Sequence, residues 1–121
     1  MDKVRPEAVA VNIDTHDQLR CPRCDDPWLH HGDIRVYGRD KEDGPSTVTE
    51  VCSGGGVHIH RAPLGVDDVN PSERRDAITI RFWCEVCYYY SRLEIVQHKG
   101  NTHLRMILED EMNGPDEGPL S

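Results

Sequence analysis

The chain is poor in apolar and aromatic residues: 36% of its 121 residues are hydrophobic, 6% are aromatic, and phenylalanine occurs once. An average soluble domain is about 45–50% apolar with glycine counted, so a small core is expected here, held by a metal or disulfide staple. No apolar run approaches the roughly 18–20 residues of a membrane span, and the first residues lack a secretory apolar stretch. A cytoplasmic protein without a membrane partner is the expectation. Basic residues are also scarce, with 14 Lys+Arg against 22 Asp+Glu for a net charge of −8. Phosphate neutralisation by Lys and Arg supplies most non-specific nucleic-acid affinity, so this balance argues against a general nucleic-acid binder. There is no Walker loop, no Ser/His/Asp order and no dinucleotide fingerprint. The glycine-rich Ser53–Gly56 lacks a following Lys-Ser/Thr and reads as a hairpin tip. The length suits one domain.

What the chain does have is five cysteines, four of them in two pairs: Cys21-Pro-Arg-Cys24 and Cys84-Glu-Val-Cys87. C-x₂-C spacing lets a tight turn aim both sulfurs at one ion, and two such turns supply four thiolates, a set that suits tetrahedral Zn²⁺ at about 2.3 Å. Such a site is closed to water, so the expected role of the zinc is structural. The 59 residues between the pairs exceed a short finger and must form strands of their own. An iron site uses the same ligands, and spacing does not separate the two. Disulfides need an oxidising compartment, and a redox role fits one C-x₂-C better than two. Arg23 is expected to screen the thiolates. Cys52 has no C-x₂-C partner and reads as a loop thiol.

Alternation of apolar and polar residues places the remaining structure. Glu7–Ile13 is a weak strand, and Trp28–Tyr37, Thr47–Val51 and Val57–His60 follow. Ala77–Trp83 is expected to bury Ile78, Ile80 and Phe82 against exposed Thr79, Arg81 and Trp83. Tyr88–His98 and Thr102–Leu108 pair as a hairpin across Lys99-Gly100-Asn101. Asn70-Pro71-Ser72-Glu73 has a helix-start pattern and predicts one short helical turn. The domain is therefore expected over 1–108, with 109–121 an acidic disordered tail. The fold class is mainly β, a zinc-ribbon-centred antiparallel sheet with inserted strands and at most that one turn of helix.

The two cysteine pairs, Cys21-Pro-Arg-Cys24 before a strand and Trp83-Cys84-Glu-Val-Cys87 between two strands, resemble the zinc-ribbon group. Most of residues 19–105 is similar to small zinc-ribbon proteins of actinobacteria and their phages. That resemblance implies a metal-centred fold and a phage or mobile-element context, and no particular reaction, because ribbons serve many functions.

Three functional readings follow. Three consecutive tyrosines in a strand cannot all face inward, so Tyr88 and Tyr90 are candidate contact residues near Arg74, Arg75, Arg81 and Arg92. With the overall acidity they point to a protein partner and a non-enzymatic interaction module, such as a phage-encoded adaptor or inhibitor of a host nucleic-acid machine. The second reading takes the stretch from Glu73 to Arg105, with six bases against four acids, as a nucleic-acid-binding face of a transcription regulator. The third is an HNH-like nuclease with His60 as base and Asn70 orienting it. It departs from that pattern in having Ile59 before the base and Tyr88–Tyr90 where a last histidine belongs. His58 and His60 share a strand face and, with Cys52, read as surface residues before they read as a second metal site.

Overall fold

The computed structural model describes residues 8–42, 44–62, 70–72 and 75–112. Seven strands succeed one another: β1 (Ala8–Val9), β2 (Leu29–Arg39), β3 (Ser46–Val51), β4 (Val57–Ala62), β5 (Ala77–Cys84), β6 (Tyr89–His98) and β7 (Asn101–Glu111). They form one open antiparallel sheet in the order β1-β7-β6-β5-β2-β3-β4. The β6–β7 hairpin turns at Lys99 and Gly100, which both take positive φ (50° and 82°) as a two-residue I′ turn requires. Gly55 and Gly56, also at positive φ, let the β3–β4 hairpin close at the tip read from the sequence. Strand β2 bulges between His31 and Ile34, and Gly32 lies there because a Cβ would come within 3.2 Å of the Arg81 carbonyl.

Antiparallel partners lie on the same face of a sheet, so the register sorts every side chain. One face carries two unbroken cross-sheet rows. Leu104, Ile95, Ile78, Val36, Thr49 and Ile59 form the first; Met106, Leu93, Ile80, Ile34, Val51 and Val57 form the second. The opposite face has one apolar row through Val96, Ala77, Tyr37 and Val48, which is the buried core, and a charged row through Arg105, Glu94, Thr79, Arg35 and Glu50.

The core row is covered from above by the described part of the β4–β5 connection. Asn70, Pro71 and Ser72 are all buried, with the Asn70 amide donating to Ser46 Oγ at 3.0 Å and the Ser72 hydroxyl to the Gln97 carbonyl at 2.7 Å. Arg39 ties the same segment down by donating to the Gly44 and Ser72 carbonyls.

The expected burial in β5 holds at Phe82, 5% exposed, and is inverted at the start of the strand. There Thr79 is 4% exposed and Ile78 38%, because the connecting loop lies on the polar side. The expected helical turn is also corrected: the described residues contain no helix. The Asn70 side chain does accept from the Ser72 amide as a cap would, but the segment is a buried turn. The weak strand over 7–13 shrinks to Ala8–Val9 plus a bridge between Ile13 and Leu19. The boundary at 109 moves as well, since β7 continues through Glu109 to Glu111 and Met112 is buried, its N–H donating to the Tyr88 carbonyl. The rest of the expected tail lies outside the described residues.

Candidate metal centre

The four paired cysteines meet where β5 turns into β6 and the chain enters β2. Their Sγ atoms all lie within 4.8 Å of one another. The closest approaches, Cys21–Cys87 at 3.7 Å and Cys24–Cys84 at 3.6 Å, are far beyond a disulfide bond. They match the edges of about 3.8 Å in a regular tetrahedron of sulfurs around an ion at about 2.3 Å. Among the described residues this is the one group of three or more metal-ligating side chains within reach of a single ion.

The two turns are built alike. In the first, the Asp25 N–H donates to the Cys21 carbonyl at 2.9 Å; in the second, the Tyr88 N–H donates to the Cys84 carbonyl at 3.0 Å. Side chains behind the first turn fix it further. Arg20 donates to the Asp25 carbonyl and to the Asp14 carboxylate, and the Asn12 amide donates to Asp25 Oδ1. This support from Asn12, Asp14 and Arg20 was not read from the sequence, although an Asp that accepts from the amides of His16 and Gln18 is a local turn signal.

Arg23 meets the site differently from expectation. Its backbone N–H points at Cys21 Sγ at 3.4 Å, while its guanidinium lies over the Tyr89 ring at 4.1 Å and donates to the Glu109 carbonyl. Without metal, burial opposes ionisation of Cys21, but the amides of Cys24 and Arg23 and the neighbouring thiols outweigh it and lower its pKa. Burial pushes Cys87 up to about 12, and burial likewise raises Cys24. A cation supplies the charge that ionises all four.

The other candidates are dispersed. Tyr88 is exposed beside the second turn, and Tyr90 lies under the Arg81 guanidinium at 3.6 Å. His30 stacks on Trp83 at 3.9 Å and hydrogen-bonds Glu85. Arg81 and Arg92 both pair with Glu109, at 3.3 and 2.6 Å, and Arg92 and Arg105 converge on Glu94, at 3.2 and 2.8 Å. Arg75 stands 3.7 Å from Glu42, and Arg74 lies outside the described residues. Glu94 and Glu109 were missed because, apart from Arg92 beside Glu94 on β6, their partners sit on other strands, a relation that linear spacing does not carry.

His60 and His58 are exposed on edge strand β4, opposite Val48 and Glu50. Asn70 is fully buried and donates to Ser46 and to the Arg75 carbonyl. Burial, followed by the charges of Glu50 and Asp33, raises the Cys52 pKa and keeps it a thiol.

Fold and site define an open antiparallel β protein with a four-cysteine cluster fit for a tetrahedral metal ion. No family model, curated protein or solved structure matches the chain.

Proposed function

We propose that the chain is a non-enzymatic protein-interaction module whose small fold is held by a structural zinc ion. The observation that carries this reading is the two-sidedness of the sheet. Arginines that would address nucleic acid are paired with Glu94 and Glu109, while aliphatic side chains on the other face stand in solvent. Paired guanidinium groups present little net charge to a phosphate, whereas a broad apolar surface favours a protein. Four thiolates complete a tetrahedral zinc shell and leave no position for water, which supports a structural role. The buried Asn70 has its amide engaged away from the exposed His60, which favours a module without nuclease chemistry. The net charge of −8 suits a partner with a basic surface beside the docking site, as an adaptor or inhibitor of a nucleic-acid machine would meet.

The test is metal analysis of the purified chain together with capture from its host lysate, with and without nuclease. One zinc per chain and a stoichiometric protein that survives nuclease are expected. Nucleic acid alone, lost when Arg75, Arg81 and Arg92 are replaced by Ala, would instead establish the regulator reading.

A further inference from the structure

We infer that the two cysteine turns form a docking site for an Arg- or Lys-bearing segment of a partner protein, with the exposed side chains of Trp28, Val86 and Tyr88 as its apolar anchors. This rests on the interaction-module reading and names the partner's chemistry. The chain holds two tryptophans, four tyrosines and one phenylalanine, yet it leaves two of these rings in solvent beside the cysteines: Trp28 is 60% exposed and Tyr88 56%, with Val86 at 49%. A core so short of rings gains nothing from that placement, whereas Trp and Tyr are prominent among the side chains that anchor protein contacts. The turns bring all three residues to one end of the sheet. Leu29 pairs with Cys84, the Glu85 N–H donates to the Trp28 carbonyl at 3.2 Å, and Val86 and Tyr88 lie within and just after the second C-x₂-C.

Both rings are held ready. Trp28 donates its N–H to Asp26 Oδ1 at 3.1 Å and Tyr88 donates its own to the Cys84 carbonyl, while the Tyr88 carbonyl accepts from the Met112 N–H at 2.8 Å. With the backbone of each ring fixed on both sides, little ordering entropy remains to be lost on binding. Charge selects the occupant. Asp25, Asp26 and Glu85 belong to the same turns, and Glu111 precedes the residue bonded to Tyr88. Four thiolates around a divalent ion add further negative charge. The nearby bases are engaged: Arg20 pairs with Asp14 and Asp25, and the Arg23 guanidinium lies over Tyr89. Such an end repels phosphate and a second acidic copy alike. It favours a cation, and a guanidinium or ammonium group packs on the face of Trp or Tyr. A basic segment with an apolar residue beside its charge therefore meets rings, acids and the Val86 side chain together.

Selection from a displayed library of random peptides on the full, zinc-loaded chain tests this. Enriched peptides are expected to carry Arg or Lys next to an apolar residue. Binding of the leading synthetic peptide should weaken as salt rises, and by about tenfold or more in Trp28→Ala and in Tyr88→Ala, each with its zinc retained. No enrichment, enriched peptides without basic residues, or binding unchanged in either variant overturns the inference. Should a variant lose its zinc, NMR of the wild type decides. The Trp28 indole and Val86 methyl signals must move on peptide addition while those of Val48 and Val96 stay; no movement overturns the site. Protein captured alike from host lysate by the wild type and Trp28→Ala overturns the site and leaves the module reading. A wild type that enriches no peptide and captures no protein overturns both.

Discussion

Asp25 and Tyr88 hold equivalent places in the two cysteine turns. Each directly follows the second cysteine, each has a left-handed backbone (φ 65° and 61°), and each donates its N–H to the carbonyl of the first cysteine. Asp visits this region readily, but a bulky residue is strained there by roughly 1–2 kcal/mol. Tyr88→Gly is therefore expected to stabilise the metal-loaded protein by about 0.5–1 kcal/mol, part of the relief being offset by the entropy of glycine in the unfolded chain. Urea denaturation at unchanged metal content measures it. A Tyr88→Ala variant that gains as much would show that the side chain, and not the backbone, is at issue.

Metal removal is expected to unfold the domain, because the site's binding energy is folding energy in so small a core. Circular dichroism during chelator titration should lose its β signal in step with metal release. Cys84→Ser, at a fully buried ligand position, should lose both metal and fold. Cys52→Ser should retain both, with stability changed by less than about 0.5 kcal/mol.

Glu94 is 1% exposed and accepts from Arg92 and Arg105 together. Glu94→Gln removes the counter-charge facing Arg105 and one of the two facing Arg92, and is expected to cost about 2–3 kcal/mol in thermal or chemical denaturation. Glu109→Gln, at the more open end of the same network, should cost about 1 kcal/mol, and its loss should fade in high salt sooner than that of Glu94.

Asp14 accepts from the Gln18 and His16 amides and from Arg20, which together hold its carboxyl below the ordinary value despite some desolvation. A folded pKa below the unfolded one contributes stability above about pH 3.9, and that stability is lost as pH falls through the lower folded value. Carboxyl-carbon NMR of Asp14 should give a midpoint below the usual aspartate range, and Arg20→Gln should move it upward. A midpoint at or above that range would remove this support from the first turn.

The cysteine turns and six of the seven strands were legible because both rest on local pattern: C-x₂-C fixes a turn, and period-two alternation fixes a strand. Which face of the sheet is covered was not. Alternation shows that Ile78, Ile80 and Phe82 share a side, but the loop bearing Asn70 and Ser72 decides which side is closed. Composition likewise read Glu109–Glu111 as tail, because a local acidic run carries no trace of the arginines on β5 and β6 that meet Glu109. The arginines show the same gap: Arg81 and Arg92 look free along the chain and are paired across it.

The strand order also bears on how the molecule assembles in time. Apart from the short β1, the sheet is two three-stranded meanders, β2-β3-β4 and β5-β6-β7, joined by the single seam between β2 and β5. Each meander closes through short loops or hairpins, whereas the seam must bring together residues such as Leu29 and Cys84, far apart in the chain. The cysteine cluster sits at one end of that seam and draws two cysteines from each side. An ion bound there would clasp the two halves together and shorten the loop that the seam has to close.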